Sequence, residues 1–413
     1  MSSSDRRRSR ARRFSLVGAT CVLFVAVGCP SEQEPAGADA SVVEDTAVDG
    51  HVDTSAAADS ESSDPEDTTV VADSRNDTGS TTSDTPSADD TGDSGSASLC
   101  DRVKLGDNAD LGDVQLFPQG NYWNKSVENA PVDPNSDALI KSMGADTGLH
   151  PDFGCCWMND TFGIPYTVVD GSTSDVPVSF RYADESDPGP YPIPKGAPIE
   201  GGKNATGDRH VLVLDCADRK LYEIFDAHPQ NDGSWMAGSG SVWNLDESPV
   251  REAYCTSADA AGLPILPGLA RYQEAAAGKI DHALRFTVAD TRKAFVRPPA
   301  SHWASSKTDT NLPPLGMRVR LKSDAELKAA GVNVQSFHPQ VRAIVDALQT
   351  YGMILADNGS DWYVSGAPHS KWKDGKLVGQ LGEIKGKHFE VIEMDNVIDD
   401  RSLGSGSCKL SGN

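Results

Sequence analysis

The densest run of reactive side chains is Asp208-Arg209-His210-Val211-Leu212-Val213-Leu214-Asp215, followed by Leu221-Tyr222-Glu223-Ile224-Phe225-Asp226. Alternate residues of a strand share a face, so His210 falls with Leu212 and Leu214, and Glu223 with Leu221 and Phe225. A carboxyl among apolar neighbours ionises late and suits a general acid. Glu223 is therefore the first candidate acid, with Asp226, Asp208 or Asp259 as its partner and His210 nearby. The competing reading pairs Glu223 with a base such as Arg209 or Arg285. Asp226 falls on the opposite face unless it lies beyond the strand end. In Asp281-His282-Ala283-Leu284-Arg285-Phe286, His282 joins Leu284 and Phe286 and reads as a satisfied core histidine. A metal would need His210, His228, His282 or His302 to converge, and no paired His stands at helical spacing. No nucleophile elbow or phosphate-binding loop occurs either. The expectation is no metal and no cofactor.

Loops supply the second set of candidates. Thr256 to Gly268 is small, apolar and proline-punctuated, with Asp259 as its one acid, and reads as a buried or ligand-facing segment. Asp184 to Pro192 joins acids to a stiff run containing Tyr191. Trp123, Tyr191, Trp235 and Trp243 lie near Gly, Asn or Pro, hence near loops. Rings that stack on pyranose faces beside carboxylates are what sugar recognition requires. Two classes follow: an enzyme that hydrolyses or lyses a polysaccharide, or a non-catalytic surface module that binds glycan or a protein partner. The plainer account of the rings makes them core plugs.

Short β-branched or aromatic runs bounded by Gly, Pro, Asn or Asp must position these groups. They are Ile164–Val169, Val176–Tyr182, His210–Asp215, Leu221–Phe225, Ala283–Val288 and Met317–Leu321. The two reactive runs are predicted to form a hairpin across Cys216–Lys220. A second hairpin is predicted for Met353–Ala356 and Trp362–Ser365, because Asp357-Asn358-Gly359 suits a turn needing positive φ. Ser323 with Glu326 makes a capping box for a helix that ends at Gly331. Pro339 opens another, with Val341, Ile344, Val345 and Leu348 on one stripe. Asp137–Met143 is a third. Strands without regular intervening helices argue against a doubly wound sheet. The predicted fold is mainly β, a distorted sandwich-like domain over 99–413 with two or three peripheral helices.

Six cysteines fall in that region: Cys100, Cys155, Cys156, Cys216, Cys255 and Cys408. An even count in an exported chain favours disulfides. Domain termini are often close, which makes Cys100–Cys408 the first expected bridge. Adjacent Cys155 and Cys156 are expected to pair outward, to Cys216 and Cys255.

The rest of the chain is delivery. Arg6, Arg7, Arg8, Arg10, Arg12 and Arg13 precede an apolar run from Phe14 to Gly28, a charged and then apolar pattern typical of secretion signals. The run is too short for the roughly 20 residues that span a bilayer. It ends in Ala26-Val27-Gly28-Cys29, where the chain turns abruptly polar. This segment (1–28) resembles a bacterial lipoprotein signal peptide. The resemblance implies cleavage before Cys29, diacylglycerol on its sulfur and attachment to a membrane. It also implies a place in the cell envelope, facing the periplasm or exterior. Residues 29–98 carry 18 acids against one base, Arg75. Such a segment cannot offset its backbone entropy and is predicted to be a disordered tether. A flexible coil of about 70 residues spans roughly 45–50 Å. With a formal net charge of −24 for the whole chain, binding to nucleic acid through a basic face is excluded.

Overall fold

The computed structural model describes residues 98–157, 160–399 and 407–410. The signal segment, Cys29 and the acidic tether lie outside the described residues. Strand outweighs helix, and the fold is mainly β with several sheets. Among the described residues, no helix is long and apolar enough to cross a membrane.

The hairpin across Cys216–Lys220 forms as predicted. Strand Val211–Asp215 pairs antiparallel with Lys220–Phe225 and parallel with Tyr166–Val169. Gly106–Asp107 and Ser239–Asn244 complete a five-stranded sheet at its two edges. Register decides which side chains meet. One row across the sheet runs Tyr166, Leu212, Glu223, Ser241, and the next runs Val168, Leu214, Leu221, Trp243. The apolar members of both rows enter the larger core, and Glu223 is fully buried among them. The opposite face carries Val169, Val211, Val213 and Ile224 into a smaller core with Tyr191, Ile193 and Trp235. Both faces of this sheet are therefore covered, which is why its strands lack a polar side.

A six-stranded sheet runs Phe389–Val391, Arg318–Leu321, Met353–Asn358, Leu284–Val288, Tyr363–Ser365, His150–Asp152. The second predicted hairpin does not form. Met353–Asn358 and Tyr363–Ser365 flank Leu284–Val288 on opposite sides, the first parallel to it and the second antiparallel. Gly359 lets the chain cross over. Its N–H donates to the carbonyl of Val288 at 2.9 Å, and a Cβ there would meet the Thr287 hydroxyl at 2.8 Å. An Asn-Gly pair marks a sharp reversal but does not say which strand lies between its arms.

Helix Asp324–Ala329 opens on the predicted capping box, with the Ser323 N–H donating to Glu326 Oε2 at 3.0 Å. Helix Pro339–Thr350 buries Val341, Ile344, Val345 and Leu348. Helix Ser136–Ser142 matches the third prediction with both ends shifted by one residue. Leu99–Arg102, Tyr272–Ala277 and Asp374–Leu381 are short additions of four, six and eight residues that the sequence reading did not include.

The expected disulfide pairing is wrong. Cys100 bonds Cys216 and Cys255 bonds Cys408, with Cα atoms 5.0 and 4.6 Å apart. Cys155 is also disulfide-bonded, but Cys216 and Cys255 already have other partners. Local sheet order explains the first bridge. Gly106–Asp107, just after Cys100, pairs with Tyr166–Val169, whose other neighbour ends immediately before Cys216. The start of the domain is thus held to the five-stranded sheet rather than to the other terminus.

Candidate functional site

An open cleft of about 420 Å³ gathers groups from distant parts of the chain: Glu185, Asp208, Asp259, His302 and Asp357, with Tyr182 and Phe225 among its walls. Loop Thr256–Ala260 forms one side. Its turn is held from within, since the Asp259 N–H donates to Ser257 Oγ at 2.9 Å and the Ala261 N–H to Asp259 Oδ1 at 3.1 Å. The Ala261 N–H also reaches the carbonyl of Ala356 at 3.0 Å, which ties the loop to the strand bearing Asp357.

Asp259 and Arg285 are both buried, and they pair through Asp259 Oδ2 at 3.3 Å from Nε and 3.2 Å from Nη2. Arg285 Nη1 donates onward to Ser365 Oγ at 2.8 Å. Burial pushes the Asp259 carboxyl up, against the pull of Arg285. A buried pair of this kind fixes geometry more than it adds stability.

Asp357 is placed by a bulge. Phe286 faces Leu355 but Thr287 faces Asp357, so Ala356 is an extra residue that breaks the alternation just before Asp357. Bulges re-aim side chains next to functional sites. Asp357 Oδ1 accepts the Asn358 N–H at 2.7 Å, and Oδ2 has no hydrogen-bond partner among the described residues. Burial first, and then the charge of Asp259, push this carboxyl up to about 7. Asp208 is exposed, and its carboxylate has no hydrogen-bond or ion-pair partner among the described residues. Glu185 Oε2 accepts the Thr256 N–H at 3.0 Å, and His302 Nδ1 lies 2.9 Å from the carbonyl of Ala260.

His210 sits behind the loop. Its Nδ1 is 2.6 Å from Glu200 Oε2 and its Nε2 is 3.0 Å from the carbonyl of Ala258. Both neighbours only accept, so the ring donates twice and is an imidazolium. Burial alone would lower its pKa, but the Glu200 carboxylate outweighs that and holds it at about 9. Glu200, Asp208 and His210 bring possible ligand atoms within 4.8 Å of one another. With both ring nitrogens given to acceptors, His210 has no lone pair for a cation, so the set reads as a charge-paired clamp.

The predicted site residues therefore divide. Asp208 and Asp259 line the cleft, and His210 braces the loop at Ala258. Glu223 does not reach the cleft. Its carboxylate accepts the N–H groups of Ile265 and Leu266, each at 2.9 Å, and Trp243 Nε1 at 3.1 Å. Burial pushes it up to about 7, against those donors. The alternative pairing with Arg209 or Arg285 is also absent, since backbone donors occupy the carboxylate instead. Asp226 lies just past its strand end in the left-handed region, φ 52°. There it pairs with Arg181 at 2.6 Å and His228 at 2.7 Å, away from the cleft lining. His282 is a buried core residue, its Nε2 3.1 Å from Arg271 Nη2, as expected of it.

Trp123, Tyr191, Trp235 and Trp243 are all buried, so none offers a ring face to a ligand and the plainer core reading holds. Asp357 and Glu200 are cleft or support residues that the sequence reading missed, whereas Glu185 belongs to the acidic loop it had noted. For Asp357 the signal was present but was spent on a hairpin turn. The chain matches no family model, and neither the curated proteins nor the solved structures contain a significant relative.

Proposed function

We propose that this chain is an exported, lipid-anchored hydrolase of polysaccharide, with Asp357 as general acid and Asp208 as the second carboxylate. Asp259 and Arg285 fix the loop and strand that carry the pair. One observation carries the reading: an open cleft where Asp208 and Asp357 each retain an unengaged carboxylate oxygen, beside a buried Asp259–Arg285 pair. Glycoside hydrolysis needs two carboxyls in different protonation states. In this reading the Asp357 proton passes to the glycosidic oxygen as its bond to the anomeric carbon breaks. Water adds to that carbon and gives its proton to Asp208. The alternative of a non-catalytic glycan platform has lost its main support, because the four candidate rings are buried.

Delivery is part of the proposal. Lipid on Cys29 would hold the domain at a membrane of the cell envelope, facing the periplasm or exterior, with the acidic segment as spacer. Two or more acyl chains anchor stably, at about 0.8 kcal/mol per buried methylene. Reducing-end release from a panel of cell-wall and plant glycans tests the chemistry. Wild type should cleave at least one glycan, and Asp357→Asn and Asp208→Asn should each lose that activity. No cleavage by wild type, or undiminished cleavage by both variants, would remove the proposal.

A further inference from the structure

We infer that the cleft accepts glycans that are neutral or bear amino groups, and that it rejects polyuronates and sulfated glycans; this rests on the glycan reading above. The charge census of the lining carries it. Four carboxyl residues face the cleft, Glu185, Asp208, Asp259 and Asp357, and no Lys or Arg stands among the lining residues. The guanidinium behind them, Arg285, is buried and spent on Asp259 and Ser365, so it neutralises one carboxylate and has no path to a ligand. His302 turns its Nδ1 to the carbonyl of Ala260. Glu200 adds no free negative charge, because His210 balances it. Asp208 is less fully balanced: it is exposed and lines the cleft, and the His210 ring, already paired with Glu200, comes within 4.8 Å of it without forming an ion pair.

The physical consequence is selection by repulsion. A uronate or sulfate entering this open cleft meets an excess of like charge, a repulsion strongest at low salt. Like-charge juxtaposition is a common way to exclude wrong partners. An ammonium on the sugar is drawn to Asp208. A neutral sugar is bound through its hydroxyls by Ser257, Thr256 and the carboxyl groups without a charge term.

The test is calorimetric titration of the full chain with three hexasaccharides: a glucosamine oligomer, its N-acetylated neutral counterpart and a uronic acid oligomer. Each is measured at low and at high salt. The amino oligomer should bind about tenfold tighter than the neutral one at low salt, and high salt should erase that gap. The uronate should bind weakest of the three. Asp208→Asn should weaken the amino oligomer by a larger factor than the neutral one, so that the gap between them narrows. Uronate binding equal to or tighter than neutral binding would overturn the inference while leaving the hydrolase reading intact. Binding and cleavage of none of the three, nor of any glycan in the panel, would overturn both.

Discussion

Two carboxyls, the buried Glu223 and the half-buried Asp357, are both pushed up to about 7, yet their surroundings assign them opposite work. Glu223 is fully enclosed and accepts from Ile265, Leu266 and Trp243, so it is a bracket for the turn that follows the cleft loop. Removing it leaves buried donors without partners, at about 1–3 kcal/mol each. Glu223→Leu should therefore lower unfolding free energy by several kcal/mol in urea titrations, roughly 3 or more. Glu223→Gln, which keeps an acceptor, should cost less and leave catalysis standing. Their pH dependence follows from the same shift. A carboxyl whose folded pKa lies near 7, above its usual 4.5, binds more protons in the folded state between those values. Wild-type stability relative to Glu223→Gln should accordingly fall as pH rises from 4.5 to about 7. A flat difference across that window would show that Glu223 is ionised throughout.

At the scale of elements, the clamp on loop Thr256–Ala260 is the feature most open to measurement. His210 is raised from 6.5 to about 9 by Glu200, so its contribution is fully present below pH 6.5 and is lost as pH rises through about 9. Such a shift corresponds to roughly 3–4 kcal/mol. Glu200→Gln should abolish that alkaline loss, seen as unfolding midpoints followed from pH 6 to about 9.5. An unchanged profile would place the ring outside the pair.

Elements also show what the sequence could convey. The six predicted strands are present, with every end within about two residues of its predicted place, because alternation and turn residues are local properties. Face assignments for Leu212, Leu214, Leu221 and Glu223 hold for the same reason. The hairpin at Asp357-Asn358-Gly359 fails because Leu284–Val288, some 70 residues earlier, inserts between the arms. That partner is non-local, and no window around Asp357 contains it. The same insertion creates the bulge that aims Asp357, so one unread pairing hid both the topology and the candidate acid. The aromatic platform was misread by the same route. Trp123 and Trp243 stand near turn residues in sequence, but cross-sheet packing takes them inside.

For the whole molecule, bridges among the described residues close long loops, 116 residues between Cys100 and Cys216 and 153 between Cys255 and Cys408. On the chain-entropy model each contributes about 4–5 kcal/mol by restricting the unfolded chain. Cys100→Ser with Cys216→Ser should thus lower the urea midpoint substantially, and an unchanged midpoint would mean the bridge restricts little. Delivery is tested separately. Cys29→Ser should stop lipid labelling and release the protein from membranes, whereas continued membrane attachment with unchanged mobility would reject the anchor. The central claim, acid catalysis by Asp357, is tested most directly through leaving-group dependence. Wild type and Asp357→Asn are compared on the cleaved glycan and on an aryl glycoside of the same sugar, whose phenolate departs without protonation. Loss of a general acid should cost the variant roughly 10²–10⁴-fold in kcat on the glycan and far less on the aryl substrate. Its activity on the glycan should also lack the wild-type decline as pH rises through about 7. Equal losses on both substrates, or a wild-type pH profile retained by the variant, would contradict Asp357 as the acid.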